Sequence, residues 1–554
     1  MNSITKSKVY ALHRHLSTSF TRFYWAGQPN AVCEVSKKYK DRVAIKDSNG
    51  DHTYDFLSQQ SEKLSKIILD CLASKNITKG QTRVAHLCPN DASYVVAQWA
   101  IWKSGNVSLP LHFSHPSSLV KYYIEDSKSS IILSTSDMVS KFEEVSGVDV
   151  INVDVNSLAQ TPNNPAPYKV LAPTLPALIL YTSGTTGPPK GVVLTHGNIS
   201  AMIDNMVEAW KWTKSDVILH TLPLHHTHGL INALLCPLRV GATVEMMPKF
   251  DPEQVWEKLT TNKSDSKGVN IYMAVPTMYA KLLKEYDNKY ASGRITKAFI
   301  KATCEQNIRL MISGSASLPD TVFEKWKEAT GHELLERYGM TEIGMALTNP
   351  LQGQRKPGFV GNPFSTVQVR ISKANVYSTY GVDVIADGNA HRTKVTPGCE
   401  KEEGELLIKG PSVFKEYWGK PEATASTFTK DGWFKTGDTA KFSEGAYKIL
   451  GRTSVDIIKS GGYKLSALDI ERHLLTHPSI EDCSVVGVDD EIWGQKVAAV
   501  VVLKEKQNLD LASLKVWCKE RMAPYSIPAV LRIVEKIPRN TMGKINKKEL
   551  IKSL

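Results

Sequence analysis

Hydroxyl-bearing residues, glycines and one lysine follow each other closely in residues 181–191 of this 554-residue chain, which read YTSGTTGPPKG. Glycines let the backbone turn tightly and approach an anion, because no Cβ stands in the way. Serine and threonine hydroxyls donate hydrogen bonds, and a lysine ammonium is a point charge that suits a phosphate oxygen. The segment therefore predicts a loop that binds a polyphosphate through Thr182, Ser183, Gly184, Thr185, Thr186, Gly187, Pro188, Pro189 and Lys190.

The loop differs from the Walker A sequence, which requires a serine or threonine directly after its lysine, because Gly191 follows Lys190. This difference disfavours a P-loop nucleoside triphosphatase. A surface turn without a ligand is the alternative, since glycine, threonine and proline are also typical turn residues. The apolar run at residues 175–180 favours a buried strand that leads directly into a binding loop.

Charged side chains suited to the same chemistry occur in three further strings: ERYGMTEIGM at 336–345, KTGDTA at 435–440 and PRNTMGKINK at 538–547. The carboxylate of Glu342 suits a hard cation such as Mg²⁺, which neutralises charge on phosphates. The carboxylate of Asp438 can accept two hydroxyl donors. Lys544 supplies a cation, which can stabilise negative charge on reacting anions. Taken singly, a Thr-Glu pair can be a helix cap and a terminal lysine a solvated side chain, so the prediction rests on the complete strings.

Together these strings resemble the signature motifs of the adenylate-forming superfamily, which includes acyl-CoA synthetases, firefly luciferases and the adenylation domains of peptide synthetases. The resemblance covers nearly the whole chain after residue 30 and implies an ATP site. It implies that Tyr338 lies beside the adenine, that Thr341 faces the α-phosphate and that Glu342 holds Mg²⁺. Asp438 would bind both ribose hydroxyls and Arg452 would be a second ribose and phosphate contact. Lys544 would be catalytic, together with Thr341 and Glu342.

Two more strings extend this resemblance. SGSASLP, at residues 313–319, is similar to the segment on which the adenine lies and implies contacts from Gly314 and Ser315. GRTSVDIIKSGGYKLS, at residues 451–466, is similar to the hinge and thiol-binding strand of the family. This similarity implies that coenzyme A is bound by Gly461, Gly462 and Tyr463. One extra residue lies between Arg452 and Asp456, which leaves the hinge open among Ser454, Val455 and Asp456.

The strings PLHHTHGL at 223–230 and QRKPGFVG at 354–361 are most similar to malonyl-CoA and methylmalonyl-CoA synthetases of the mitochondrial acyl-CoA synthetase type. A malonate carries a second carboxylate, and burying a carboxylate without a cation is costly. Arg355 is the predicted cation, because a guanidinium binds a carboxylate through two parallel bonds. Lys356 is the alternative, and a surface arginine in a loop is the other interpretation.

Three histidines, His225, His226 and His228, cluster within the first of these strings. No carboxylate or cysteine nearby completes a set of zinc ligands, so a zinc site is disfavoured. The resemblance implies an aromatic or histidine gate at the acyl pocket, with His226 as the gate and a packing role for His225.

The bulk composition is that of a globular enzyme, with 42% hydrophobic and 22% charged residues. Lysines and arginines outnumber acidic residues and give the chain a formal net charge of +12. Because these basic residues are spread along the chain, the charge favours anionic substrates over nucleic acid. The eight cysteines form no C-x-x-C pair and are predicted to be free thiols in a reducing compartment. No apolar run approaches 18 residues, so no transmembrane segment is expected.

The pattern along the chain predicts an α/β fold with a large multi-layer N-terminal adenylation domain and a small, mobile α+β C-terminal domain. We expect a mitochondrial transit peptide at residues 1–30, since this stretch is basic and rich in serine, with a disordered terminus of a cytoplasmic enzyme as the alternative. The AMP-binding domain is expected at 31–450 and the C-terminal domain at 451–554. Predicted elements are a strand at 82–87, a helix at 91–104, a surface loop at 373–403, helices at 467–477 and 511–522, and strands at 483–488 and 498–503.

The sequence as a whole predicts an ATP-dependent acid–CoA ligase that forms an acyl-adenylate and then an acyl-CoA, with malonate or methylmalonate as the acid and Mg²⁺, ATP and coenzyme A as cofactor and cosubstrates. It would be a mitochondrial matrix enzyme of fatty acid metabolism, either a monomer or a homo-oligomer, and its partners would be small molecules. A medium- or long-chain fatty acyl-CoA synthetase is one alternative. A luciferase-like oxygenase acting on an adenylate is the other, which the basic leader disfavours.

Overall fold

A computed structural model describes residues 36–77, 80–155, 158, 171–182, 188–261, 268–290, 293–461, 463–539, 544–552 and 554. These residues form three sheets that share one apolar core and a fourth sheet, near the C-terminal end, with apolar clusters of its own. The predicted α/β fold class is confirmed. Within these ranges no helix is long and apolar enough to cross a membrane.

The seven-stranded sheet carries the predicted polyphosphate loop. Its strands are β3 (Arg83–Leu87), β4 (Val107–Pro110), β5 (Ile131–Ser134), β6 (Asp149–Asn152), β7 (Pro176–Thr182), β8 (Lys190–Thr195) and β20 (Glu416–Tyr417), in the order β20-β8-β7-β4-β3-β5-β6. Strands β3 to β7 pair in parallel, and their apolar runs are typical of strands buried on both faces. Strand β8 pairs antiparallel with β7, and Thr182 lies opposite Lys190 at the end of this hairpin.

The nine-stranded sheet carries the strings that contain Gly314 and Glu342. Its order is β15-β14-β13-β12-β11-β9-β10-β1-β2, in which the six strands from β13 to β1 are parallel. Gly314 follows the end of β12, and Glu342 lies in the tight turn between β13 and β14. The strands are β1 (Val43–Asp47), β2 (Gly50–Thr53), β9 (Val217–His220), β10 (Thr243–Met246), β11 (Ile271–Ala274), β12 (Leu310–Ser313), β13 (Leu335–Met340), β14 (Gly344–Thr348) and β15 (Asn362–Pro363).

The six-stranded sheet is antiparallel throughout and contains Asp438 and Arg452. Its strands are β16 (Gln368–Ala374), β17 (Val382–Gly388), β18 (Thr393–Val395), β19 (Gly404–Lys409), β21 (Phe434–Ser443) and β22 (Ala446–Arg452). The prediction of a surface loop over 373–403 is wrong in part, because β17 and β18 lie inside that range. Asp383 is exposed while Ile385 and Ala386 are buried, so the strand hides few apolar residues and its sequence resembles a loop.

The fourth sheet contains β23 (Ile457–Ser460), β24 (Tyr463–Ser466), β25 (Ile480–Asp490), β26 (Gly494–Leu503) and β27 (Val530–Ile533). Strand β27 pairs in parallel with β26, and the other pairings are antiparallel. Two apolar clusters pack on this sheet, one around Ile470 and Leu514 and one around Ile537 and Leu550. The predicted domain boundaries at 31, 450 and 451 stay predictions.

The helices are α1 (Ser36–Tyr39), α2 (Tyr54–Ser74), α3 (Ala92–Lys103), α4 (Ser117–Ser127), α5 (His196–Ala209), α6 (Cys236–Arg239), α7 (Pro252–Thr260), α8 (Pro276–Lys289), α9 (Arg294–Asn307), α10 (Asp320–Thr330), α11 (Pro421–Ser426), α12 (Ala467–Leu474), α13 (Leu511–Lys519) and α14 (Lys547–Lys552). A π-helix occupies His228–Leu235, and short 3₁₀ helices occupy Ser136–Phe142 and Pro524–Ser526. Helix α3 is buried on nearly every side, as expected for a helix between two layers.

The remaining predicted elements agree with the structure to within a few residues. The strand at 82–87 is β3 and the helix at 91–104 is α3, which begins after Asp91 because that side chain accepts a hydrogen bond from the N–H of Ser93. The predicted helices at 467–477 and 511–522 are α12 and α13, each three residues shorter at its C-terminal end. The strand at 483–488 is the central part of β25, and the strand at 498–503 is the C-terminal part of β26.

Candidate functional site

Asp438 is held by two neighbours that were predicted to share its site. Its Oδ2 accepts a short hydrogen bond from the hydroxyl of Tyr338, and its Oδ1 lies 2.9 Å from Nε of Arg452. The carboxylate is buried, and this desolvation raises its pKa, although the charge of Arg452 opposes the rise. Three strands, β13, β21 and β22, therefore deliver these side chains to one point.

Glu342 lies in the same region and is almost completely buried. Its Oε1 accepts a hydrogen bond of 2.9 Å from the hydroxyl of Tyr417. Burial raises the pKa of the carboxyl, while Tyr417, Arg452 and Lys544 act in the opposite direction. The ammonium of Lys190 lies 5.3 Å from the centre of the Tyr417 ring. Tyr417 therefore lies between Glu342 and Lys190, at the end of the predicted polyphosphate loop.

The other residues predicted for this loop are only partly described. Thr182 ends β7, and the carbonyl of Pro189 accepts a hydrogen bond of 2.9 Å from the hydroxyl of Tyr122. Pro188 is exposed. The predicted contacts from Ser183, Gly184, Thr185, Thr186 and Gly187 lie outside the described residues.

Lys544 is brought into the same site from the far end of the chain. Desolvation lowers the pKa of its ammonium, and so do the charges of Arg452 and Arg337, whereas Asp438 and Glu342 raise it. The side chain lies within electrostatic range of both carboxylates while its residue keeps contact with solvent. This position suits a cation that meets an incoming anionic substrate.

Gly314 and Ser315 lie beside a further charged side chain, Arg337, and a histidine. A Cβ at Gly314 would lie 2.4 Å from Cζ of Arg337, so the guanidinium packs directly on the glycine backbone. Ser315 has a φ of 70°, in the left-handed region that residues other than glycine rarely adopt. Its Oγ lies 3.2 Å from Nδ1 of His228. The strained turn therefore places a hydroxyl beside the histidine string.

Arg337 is a buried cation for which the sequence suggested no role. It is 4% exposed, and its Nε and Nη2 have no hydrogen-bond partner among the described residues. Burial lowers its pKa to about 9, so the side chain is charged at neutral pH. Its charge lowers the pKa values of both His228 and Lys544. An unpaired guanidinium in such a place is costly unless an anion binds to it.

The histidine string is joined by two histidines from the loop after β4. The rings of His225 and His226 have centroids 3.8 Å apart, and His112 and His115 lie 4.3 and 4.8 Å from His225. Burial lowers the pKa of His112 and His115 to about 4 and that of His226 to about 3. The rings are therefore neutral at pH 7, and the described residues contain no group of three side chains placed to bind a metal ion.

Arg355 lies on the loop after β14, and its guanidinium donates hydrogen bonds to backbone carbonyls. Its Nε, Nη1 and Nη2 donate to the carbonyls of Pro350, Glu333 and Leu351 at 3.1, 2.5 and 2.6 Å. The alternative, Lys356, lies 2.6 Å from a carboxylate oxygen of Glu444. The predicted role of Arg355 toward a distal carboxylate stays a prediction, and this geometry favours a structural role in its own loop.

The predicted coenzyme A residues lie on the fourth sheet. Gly461 has a φ of 57° and packs against the ring of Trp493, and Tyr463 is half exposed and stacks on Tyr525 with centroids 4.1 Å apart. Gly462 lies outside the described residues.

The open hinge position lies in the turn between β22 and β23. The N–H of Thr453 donates a hydrogen bond of 3.0 Å to the carbonyl of Gly437. Oδ1 of Asp456 lies 2.6 Å from Nζ of Lys547 in an ion pair. The first bond attaches Thr453 to the six-stranded sheet. Asp456 contacts both sides of the turn, because its Oδ1 pairs with Lys547 on α14 and its Oδ2 accepts a hydrogen bond of 2.9 Å from the N–H of Arg452 on β22. Ser454 and Val455 lie between Thr453 and Asp456, and the choice among the three hinge candidates stays a prediction.

Two family models match the chain, one described as AMP-binding enzyme at residues 33–418 and one as AMP-binding enzyme C-terminal domain at residues 469–544. The chain therefore belongs to the AMP-binding enzyme family. It is 52% identical over 522 residues to the human protein named Malonate--CoA ligase ACSF3, mitochondrial, an alignment that covers 93% of this chain and 90% of the human one.

Solved structures show the same fold. ATP-bound MatB from Rhodopseudomonas palustris superposes with a TM-score of 0.82 at 29% identity, covering 95% of this chain and 99% of MatB. A malonyl-CoA ligase in a ternary product complex with methylmalonyl-CoA and AMP superposes with a TM-score of 0.61 at 31% identity, covering 90% of this chain and 97% of that one.

Sequence reasoning missed three features of the site. Arg337 stood inside the string that contains Tyr338, but an arginine in a strand gives no sign that it is buried without a partner. Tyr417 is 75 residues from the glutamate that it contacts. His112 and His115 lie far along the chain from His225, and only the folded structure shows that their rings contact it. The one available signal was the unusual density of histidine in two short segments.

The neutral histidine cluster predicts a loss of stability in mild acid. Burial holds the pKa of His225 well below its usual value, with further contributions from His226, His112 and His115. The unfolded chain binds a proton below about pH 6.5, whereas the folded chain resists it, so stability falls as the pH decreases. Between pH 7 and pH 5.5 each such histidine removes about 1 kcal/mol from the free energy of unfolding.

Urea unfolding at the two pH values measures this effect. The variant His225→Phe should lose about 1 kcal/mol less than the wild type over this range. The exposed His391 provides the matched control, and His391→Phe should keep the wild-type pH dependence. An identical pH dependence in all three proteins would contradict the account of a neutral, buried His225.

Proposed function

We propose that this protein is an ATP-dependent ligase that joins malonate to coenzyme A through a malonyl-adenylate. The observation that carries the proposal is the buried guanidinium of Arg337, which has no acidic partner among the described residues and lies beside Lys544 and His228. A monocarboxylic acid would leave this cation unpaired, whereas the second carboxylate of malonate would pair with it. The names of the relatives and the ATP-bound structural neighbour support the same activity.

In the first half-reaction a carboxylate oxygen of malonate attacks the α-phosphorus of ATP, and the bond to pyrophosphate breaks. Both reactants are anions, so a cation between them stabilises the transition state. The electrostatic influence of Glu342 and Asp438 on the ammonium of Lys544 supports this role for the lysine. We assign Thr341, in the same turn as Glu342, to the α-phosphate.

The nucleotide would occupy the space between the predicted loop and the six-stranded sheet. Asp438 would accept the ribose hydroxyls through the lone pairs that Tyr338 and Arg452 leave open, because each carboxylate oxygen can accept more than one hydrogen bond. The ring of Tyr338 and the turn at Gly314 and Ser315 would border the adenine. Lys190, with the loop from Thr182 to Pro189, would contact the β- and γ-phosphates.

Glu342 fits the chemistry of a Mg²⁺ ligand, because it is a buried carboxylate in a site for phosphates. The described ranges contain no group of three or more His, Cys, Asp or Glu side chains placed to hold a metal ion, so a Mg²⁺ ion here would take most of its ligands from phosphates and water. When bound, Mg²⁺ would neutralise charge on the triphosphate.

The acid would enter between the histidine string and Arg337. We assign the reacting carboxylate to the end near Lys544, and the distal carboxylate to the guanidinium of Arg337. His226, whose pKa responds to the charge of Lys544, would border the reacting end as a neutral ring. Methylmalonate is a second candidate substrate, supported by the product complex of the structural neighbour.

In the second half-reaction the sulfur of coenzyme A attacks the carbonyl carbon and AMP leaves. We infer that Gly461, Gly462 and Tyr463 bind coenzyme A after the fourth sheet has rotated about the turn at Ser454 and Val455. The TM-scores support two arrangements, since the chain superposes better on the ATP-bound structure than on the product complex.

We further propose a mitochondrial location, with the leader at residues 1–30 directing the chain to the matrix. The mitochondrial relatives support this assignment. The leader lies outside the described residues. The proposed partners are malonate, ATP and coenzyme A, and the assembly is a monomer or a homo-oligomer.

A pyrophosphate-release assay on the purified protein tests the proposed activity. Malonate should support release with ATP and Mg²⁺, and addition of coenzyme A should give malonyl-CoA and AMP. Methylmalonate should be used as well, whereas acetate and a long-chain fatty acid should give kcat/KM values at least about 100-fold lower, because they leave Arg337 unpaired. Preference for acetate or the fatty acid would contradict the proposal.

Paired substitutions of two arginines test the assignment of the distal carboxylate. Arg337→Met removes a buried, unpaired charge, so the KM for malonate should rise about 100-fold or more while the thermal midpoint stays the same or rises. Arg355→Met removes three bonds to backbone carbonyls, so it should lower the midpoint and leave the KM for malonate within about threefold. The reverse pattern would return the role to Arg355, as the sequence predicted.

A further inference from the structure

A buried lysine lies three residues after Lys544 and has two acidic partners. Nζ of Lys547 lies 2.6 Å from Oδ1 of Asp456 and 2.7 Å from Oε1 of Glu471. The side chains of Lys547, Asp456 and Glu471 are 8%, 12% and 15% exposed. Although burial opposes the charge of Lys547, the two carboxylates raise its pKa, so the ammonium is retained.

Asp456 connects this cluster to the nucleotide site. Its second oxygen, Oδ2, accepts a hydrogen bond of 2.9 Å from the backbone N–H of Arg452. Its carbonyl accepts a bond of 2.7 Å from the N–H of Ala467, at the start of α12. Arg452 in turn pairs with Asp438. A continuous series of polar contacts therefore runs from Asp438 to the helix that begins at Lys547.

Glu471 connects the cluster to a second part of the site. Its Oε1 also accepts a hydrogen bond of 2.8 Å from the N–H of Val485 in β25. The next residue, Arg472, donates from Nη2 to Oγ of Ser317 at 3.0 Å. Ser317 lies in the loop that follows Gly314. Helix α12 therefore contacts the loop after Gly314 through Arg472, and it contacts Lys547 through the preceding residue, Glu471.

The other end of the segment that carries Lys544 is also fixed to the fourth sheet. Nη2 of Arg539 lies 2.7 and 2.9 Å from the two carboxylate oxygens of Asp482. The backbone of Arg539 pairs with that of Ile545. Ile545 itself packs with the apolar cluster around Leu550. Lys544 thus lies between an ion pair at 539 and the buried cluster at 547.

We propose that Lys547 is a positioning residue for adenylate formation. By bonding to Asp456, its ammonium fixes the segment that carries Lys544 relative to Arg452 and the nucleotide. Stability alone does not account for the cluster, because a buried ion pair adds little compared with apolar side chains of similar volume. The inference rests on the proposed function, since it assigns Lys547 a role in that reaction.

The variant Lys547→Met tests the proposal, with Lys552→Met on the exposed face of the same helix as the matched control. Displacement of a reacting group by about 1 Å can cost about 100-fold in rate. We therefore expect Lys547→Met to lower the kcat of pyrophosphate release about 10- to 100-fold, with KM values for ATP and malonate within about threefold. Thioester formation from supplied malonyl-adenylate should stay within about threefold of wild type, and Lys552→Met should match wild type in both assays.

Two further variants separate positioning from folding. Lys547→Arg keeps the charge and should restore pyrophosphate release to within about fivefold of wild type, because a guanidinium can bond both carboxylates. Asp456→Asn keeps the shape of the side chain but removes the charge that pairs with Lys547. The two half-reactions are measured on this variant if Lys547→Met does not fold. Asp456→Asn should slow pyrophosphate release by about 3- to 30-fold and spare thioester formation.

Equal losses in the two half-reactions would overturn the proposal, and so would a loss no larger than that of Lys552→Met. These results differ from failure of the proposed function. If wild-type protein released no pyrophosphate with malonate, the substrate assignment would fail, and the comparison of variants would use the acid that the wild type does activate.

Discussion

The ion pair formed by the buried Asp438 and the partly exposed Arg452 is the interaction on which the rest of the site depends. Asp438 has lost most of its hydration, which raises its pKa, and Arg452 and the hydroxyl of Tyr338 oppose that rise. The pair joins β21 to β22 and receives Tyr338 from β13, which fixes the six-stranded sheet against the nine-stranded sheet. The backbone of Arg452 then bonds to Asp456, so the same pair sets the position of the segment that carries Lys544.

Among the residues proposed for the site, cations outnumber carboxylates, and that imbalance favours anionic substrates. Arg452 and Lys544 lower the pKa values of Glu342 and Asp438, and Arg337 lowers that of Lys544. A site with excess positive charge, part of it on the buried Arg337, favours anionic ligands. A triphosphate and a dicarboxylate, the proposed substrates, would supply the missing negative charge. The neutral histidines add a polar wall without adding to the positive charge.

The sequence was sufficient to predict the fold class, because complete motifs specify it, and the same motifs supply the residues that we propose for the nucleotide site. The acid pocket was harder to predict. Arg355 seemed suitable because it followed a motif, yet backbone carbonyls of its own loop occupy the guanidinium, and a loop of this kind leaves no regular pattern in sequence. Arg337 was overlooked because what distinguishes it is the absence of a partner in three dimensions. Strand β17 was taken for part of a loop because its burial is confined to Ile385 and Ala386.

The central claim is that Lys544 brings two anions together in the first half-reaction and takes no part in the second. The measurement that tests it most directly compares the two half-reactions of the Lys544→Ala variant. The account predicts that malonyl-adenylate formation slows by roughly 10²–10³, the loss typical for removal of one group that stabilises a transition state, while thioester formation from supplied malonyl-adenylate stays close to the wild-type rate. Equal slowing of both half-reactions would contradict it.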